Sequence, residues 1–326
     1  MVSDREIEKA VAILRAGGLV AFPTETVYGL GADASNPDAI RKIFAAKGRP
    51  HDHPLIVHLA DADQLADWAS EIPPAVTKLA RKFWPGPLTL ILKRSLRVSE
   101  LVTGGQDTIA LRVPSHPVAQ ALLRRFGGGV AAPSANRFGR VSATTAEHVR
   151  REFGGTVDCV LDGGAADVGI ESTIVDLSGA QPTLPRPGWI TAQQLEKELG
   201  APLAGPVSQS PRAPGSLAAH YAPQTPLTLA EGELLAELAG SLTRQGKRVA
   251  ALAFSAARPL LPRLTWIEAP HDAAGYAHAL YANLRWLDEA GCDALLVEKP
   301  PQDAAWAAIN DRLTRAAAGS SALDDT

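Results

Sequence analysis

Polar Ser3 and Glu6 stand at capping-box spacing, and Ile7, Val11 and Leu14 then recur on one helical face. A helix therefore opens the chain and stops at Gly17-Gly18. Short apolar runs bounded by Gly, Pro or charge follow at 19–22, 55–57, 88–92 and 109–113, and read as buried strands. Asn36 before Pro37 starts a second helix, with Ile40, Ile43 and Phe44 inward. Further helices are predicted near 73–84 and 117–126. Thr144 and Glu147 form a second box, opening a helix that ends at Gly154-Gly155, and strands are predicted at 157–161 and 172–177. Helices and strands that mix without strict alternation imply an α/β domain with a mixed twisted sheet over residues 1–200.

The pattern lapses between 201 and 226, where six prolines, two glycines and three serines replace apolar periodicity. That composition marks a linker, long enough to carry function of its own. Regularity returns over 227–326, with strands at 227–229, 248–254, 264–267 and 294–297. Helices at 231–245, 273–290 and 303–318 alternate with them. Strand–helix alternation implies a second, smaller Rossmann-like α/β domain, but the glycine fingerprint of dinucleotide binding is absent.

At 326 residues, two domains are expected, and 46% hydrophobic residues suffice for substantial cores. No apolar run approaches the roughly 18 residues of a membrane span, so no membrane association is expected. Two distant cysteines, Cys159 and Cys292, fit a reducing, cytoplasmic setting and exclude a multi-cysteine zinc site. The net charge of −3 gives no support to nucleic-acid binding through bulk charge and leaves room only for a local basic patch.

No phosphate loop, H-E-x-x-H or G-x-S-x-G motif appears. Polar segments instead follow the predicted strands. The first is 23–31, where the hydroxyls of Thr24 and Thr26 with Gly29 and Gly31 suit close approach of a ligand to the backbone, or else a turn with a capping Thr. Lys47, Arg49 and His53 lie on a constrained loop that leads to His58. Their cations suit a polyphosphate, or equally a helix C-terminus. His51, His53 and His58 lack acidic or cysteine partners at ligand spacing, so no metal site is expected there. Thr108 and Arg112 share one strand face. An arginine there is either paired and gripping an anion, or snorkelling from an edge strand. Ala132, Ser134, Asn136 and Ser142 follow another strand, Ser172 starts one, and Arg186 sits in a proline-stiffened turn. Several cations and hydroxyls without a nucleophile–base pair favour phosphate positioning over covalent catalysis.

Taken in order, Thr24 to Leu30, Lys47 to Pro50, Pro54 to His58, Trp84 to Thr89, Pro133 to Asn136, Glu171 to Ile174 and Arg186 to Gly188 resemble the YrdC-like domain of the threonylcarbamoyl-AMP synthase family. The linker, with His220-Tyr221-Ala222-Pro223, and the tail resemble the family's two-domain form. The resemblance implies a nucleotidyltransferase that joins L-threonine, bicarbonate or CO2, and ATP with Mg²⁺ into threonylcarbamoyl-AMP and pyrophosphate. The product would go to a downstream transferase complex that modifies adenosine 37 of tRNA. By the same resemblance, Arg112 holds the threonine carboxylate, with Thr26, His58, Ala132 and Ser172 around the rest. Lys47, Arg49, His53, Thr108, Ser134, Asn136, Ser142, Arg186 and the linker residue Tyr221 line the ATP side, and Lys47 and Arg49 carry the catalytic charge. His53 replaces the family's usual Asn. Hydrogenase-maturation carbamoyl transferases share the domain but carry zinc fingers, which two cysteines cannot build.

Overall fold

The computed structural model describes residues 2–205 and 210–321. The chain divides into two compact units within those residues. Met1–Phe138 with Ala143–Ser216 forms the first, and Gly139–Ser142 with Leu217–Thr326 the second. The linker stretch 201–226 is thus shared between them, and the short loop Gly139–Ser142 belongs with the second.

The first unit contains strands β1 (Val20–Pro23), β2 (Tyr28–Asp33), β3 (Ile56–His58), β4 (Leu88–Lys93), β5 (Thr108–Arg112), β6 (Val130–Ala131), β7 (Cys159–Val160), β8 (Thr173–Asp176) and β9 (Thr183–Arg186). They form one mixed sheet in the order β7-β1-β2-β6-β3-β5-β4-β8-β9. Its helices are α1 (Asp4–Arg15), α2 (Pro37–Lys47), α3 (Leu65–Trp68), α4 (Pro74–Phe83), α5 (Glu100–Thr103), α6 (Pro117–Phe126), α7 (Ala146–Phe153) and α8 (Ala192–Leu199).

Local sequence explains the starts of these helices. Ser3 and Glu6 close the expected capping box, and the Asn36 side chain accepts from the amides of Asp38 and Ala39. The α7 cap is Thr145 rather than Thr144, because Thr145 accepts from His148 N while Glu147 pairs with Arg151. Two strands escaped the hydrophobic pattern. In β2 the alternation is broken by Gly29 and Gly31. A Cβ on Gly31 would lie 2.7 Å from the Phe22 ring and 2.9 Å from Val130, so glycine is the residue that lets β1, β2 and β6 stack. In β9, Pro185 of the segment that reads as a stiff turn sits on an edge strand, where a missing N–H is tolerated.

Alternation along the central strands assigns two faces. Val57, Leu88, Leu90, Leu92, Ile109, Leu111 and Val175 point into the main core. Ile56, Ile91, Ala110 and Ile174 point the other way and pack with Ala213 in a smaller cluster. His58, Thr89, Thr108, Arg112 and Ser172 share the parity of that second face.

The second unit holds β10 (Leu227–Ala230), α9 (Gly232–Arg244), β11 (Val249–Ala253), β12 (Leu264–Glu268), α10 (Ala273–Glu289), β13 (Ala294–Glu298) and α11 (Ala307–Ser321). All its strands are parallel, in the order β10-β13-β11-β12. This is the Rossmann-like layer expected from the alternating pattern. At the carboxyl end of β13, buried Glu298 accepts from the amides of Phe254, Ser255 and Ala256 and from the Ser255 hydroxyl.

Candidate active site

Arg112 ends β5, which is central between β3 and β4 and not an edge, so the snorkelling alternative fails. Its side chain is 3% exposed. A lone buried guanidinium would cost several kcal/mol, so partners are obligatory. They are Glu25 Oε1, which accepts from Nη2 at 2.7 Å, and Thr26 Oγ1, which accepts from Nη1 at 2.9 Å. The Gly86 carbonyl accepts from Nε at 3.3 Å. A guanidinium has five N–H donors. Three are used, and among the described residues one N–H on each terminal nitrogen stays unengaged.

Around this fork the hydroxyls are ordered. Thr26 Oγ1 lies 2.8 Å from Thr24 Oγ1, which donates to the Val27 carbonyl. Opposite Arg112 in the β3–β5 register stands His58. Its Nδ1 is buried with no hydrogen-bond partner among the described residues, and burial together with the Arg112 charge drops its pKa to about 3. His58 is therefore a neutral imidazole. Ser172 links the neighbouring strands, with Thr89 Oγ1 2.7 Å from its hydroxyl and Arg186 Nη2 donating to that hydroxyl at 3.0 Å. Arg186 also donates to the Ser172 carbonyl from Nε and Nη2, and from Nη1 to the carbonyl of Pro214 at 2.8 Å. The loop 168–172 is latched to the first segment, since Val168 N donates to the Glu25 carbonyl and Gly169 N to that of Thr26.

The second cationic group comes from the end of α2. Gly48 is left-handed (φ 63°) and caps α2, whose last residue is the buried Lys47. Buried Lys47 Nζ donates to the carbonyls of Ser134 (2.6 Å) and Asn136, which pins the Pro-Ser-Ala-Asn turn. Burial, and then the neighbouring Arg49, push its pKa well below the ordinary lysine value. Arg49 Nη2 donates to the Pro54 carbonyl, and its guanidinium lies 5.5 Å over the Phe138 ring. His53 meets the same ring edge-on at 5.1 Å, and burial and Arg49 lower its pKa.

Of the residues expected from sequence, Thr26 is bonded to Arg112, which pairs with His58 in the β3–β5 register, and Ser172 is bonded to Arg186, all in the first unit. Lys47, Ser134 and Asn136 form a second linked group, and Arg49 with His53 a third around Phe138. Thr108 and Ala132 are buried in that unit, Thr108 on the strand face of Arg112. Ser142 and Tyr221 fall in the second unit. There the Ser142 carbonyl accepts from Arg285 Nε at 3.1 Å. Tyr221 has φ 61°, stacks on Tyr281 at 5.7 Å and lies under Arg312 at 5.3 Å. Glu25 and Thr89 went unassigned. Glu25 could have been sought, because an arginine inside an apolar strand demands an acidic partner.

Buried cations gathered in one α/β unit, with Arg112 among them keeping donors unengaged within the described residues, suit small anionic ligands. Residues 12–188 match the family model Sua5_yciO_yrdC, described as telomere recombination. Residues 190–318 match that of the C-terminal domain of threonylcarbamoyl-AMP synthase. The threonylcarbamoyl-AMP synthase of Bacillus subtilis is 41% identical over 97% of this chain and 94% of its own. That of Pyrococcus abyssi is 38% identical over 97% and 95%. The crystal structure of P. abyssi Sua5 complexed with L-threonine superposes with a TM-score of 0.90 at 37% identity, covering 98% of this chain and 96% of that one. The chain belongs to the threonylcarbamoyl-AMP synthase family.

Proposed function

We propose that the protein is an L-threonylcarbamoyladenylate synthase, a nucleotidyltransferase acting on L-threonine, bicarbonate or CO2, and MgATP. The observation that carries this reading is the Arg112 fork. Two N–H groups on separate terminal nitrogens, in a buried polar setting, match the two oxygens of one carboxylate. A neutral His58 beside it adds no second positive charge against the amino group. The threonine amine captures CO2 to give a carbamate. The carbamate oxygen attacks the α-phosphorus of ATP and pyrophosphate leaves; Mg²⁺ brought by the nucleotide would neutralise charge on the phosphates.

Lys47, Arg49 and Arg186 supply the positive charge for the triphosphate, with Thr108, Ser134, Asn136 and His53 as neighbours. An incoming polyphosphate favours full protonation of Lys47, offsetting the burial that lowers its pKa. Thr26, Ala132 and Ser172 would surround the amino acid. Ser142 and Tyr221 on the ATP side rest on the family likeness alone. The adenylate would pass to a transferase complex acting on adenosine 37 of tRNA, in the cytoplasm. The test is mass-spectrometric detection of threonylcarbamoyl-AMP from the purified protein with ATP, threonine and labelled bicarbonate. Pyrophosphate release that ignores threonine would overturn the reading.

A further inference from the structure

We infer that Glu25 is a positioning residue for the amino-acid substrate, acting through Arg112. The inference rests on the threonine reading above and gives it a mechanism. Glu25 is 5% exposed, and both carboxylate oxygens are engaged: Oε1 accepts from Arg112 Nη2 at 2.7 Å and Oε2 from Ser115 N at 3.0 Å. Its own backbone carbonyl accepts from Val168 N at 2.7 Å. The side chain is thus fixed by the start of the 115–126 segment and the backbone by the 168–172 loop, leaving the carboxylate no freedom to follow a moving guanidinium.

This matters because bidentate recognition is angular. A guanidinium grips a carboxylate only when two parallel N–H bonds face it. Arg112 is anchored on all three of its nitrogens, by Gly86, Thr26 and Glu25, and each anchor takes one proton. The Thr26 anchor is a hydroxyl that also faces Thr24, and the Gly86 contact is the longest at 3.3 Å. Glu25 is the one charged anchor and the shortest. Without it Nη2 loses its restraint, and the guanidinium turns about its own stem. Glu25 also compensates the Arg112 charge before substrate arrives, so the fork can stay buried and pre-aimed rather than swing toward water.

A stabilising carboxylate and a positioning one differ in what they do to ligands with and without a carboxylate. The experiment compares calorimetric affinities for L-threonine and for L-threoninol, which keeps the amine and hydroxyl but lacks the carboxylate, in wild type and Glu25→Ala. Wild type is expected to prefer threonine. In Glu25→Ala the threonine affinity should fall at least about tenfold while threoninol and ATP affinities stay within about twofold, so the preference collapses. Parallel loss for all three ligands means a structural role and overturns the inference. Tighter threonine binding overturns it as well, since Glu25 would then be competing with substrate for Arg112. Should Glu25→Ala not fold, Glu25→Gln carries the test. It keeps one acceptor and drops the charge, and a selective threonine loss of about threefold or more supports the role, whereas an unchanged preference defeats it. A wild type that shows no preference for threonine refutes the substrate reading itself and the inference with it.

Discussion

Arg112 in the first unit and Glu298 in the second are both buried charges at the ends of central strands, yet they are treated in opposite ways. Glu298 collects three backbone amides and a hydroxyl, and its pKa is lowered by those donors against the desolvation that raises it. Among the described residues Arg112 spends three of five protons and keeps two. A saturated charge closes a structure, whereas one left partly unsatisfied at the cost of burial is set out for a ligand. Position in an α/β fold does not distinguish the two cases, but counting donors and acceptors does.

The comparison breaks most visibly at Arg112. Arg112→Ala removes the fork and strands Glu25 in the interior. Threonine-dependent pyrophosphate release should fall at least ~100-fold, as ~3 kcal/mol or more of charge-assisted binding implies. A kinetic assay with threonine near wild-type rates would show that the unengaged donors serve no substrate. Glu298→Ala leaves at least three amides and a hydroxyl without their acceptor. It should cost about 3 kcal/mol of stability in chemical denaturation, with threonine affinity of the folded protein unchanged. A selective loss of threonine affinity would mean that saturation is no guide to structural roles.

A third effect concerns pH and shows only in acid. His58 titrates at about 3 in the folded chain against 6.5 for the free side chain, so the unfolded chain binds the extra proton first. Stability is therefore fully present above 6.5 and declines as pH falls toward 3. Urea midpoints of His58→Gln should lack this part of the decline. Equal slopes in the two proteins would place His58 in a wetter setting than its burial implies.

Much of this architecture could be read from residue order. In the second unit, parallel strands of four or five residues and long helices carry local periodicity, so Leu264–Glu268, Ala273–Glu289 and Ala294–Glu298 fall close to their expected limits. The first unit hides more. β2 is built on glycines whose value lies in what Phe22 and Val130 exclude, and no periodicity reports that. Arg112 was conspicuous because charge inside an apolar strand is anomalous. Its partner lies 87 positions away in a segment that reads as a turn, so pairing was legible only as a demand. Ser172 was visible as a strand start, but the hydroxyl pair with Thr89 spans 83 positions and needs the β4–β8 register to form.

Ala213 lies beyond the limit that proline content alone would draw for the first unit, yet it caps Ile56, Ile91, Ala110 and Ile174. Nearby, Arg212 and Gln106 exchange two hydrogen bonds, and Arg212 Nη2 reaches the Gly104 carbonyl at 2.8 Å. Anyone trimming the protein to its amino-terminal half should therefore cut after Ser216. Ending near 205 would bare a greasy strip of four aliphatic side chains and invite self-association, a fault easily mistaken for loss of catalytic competence.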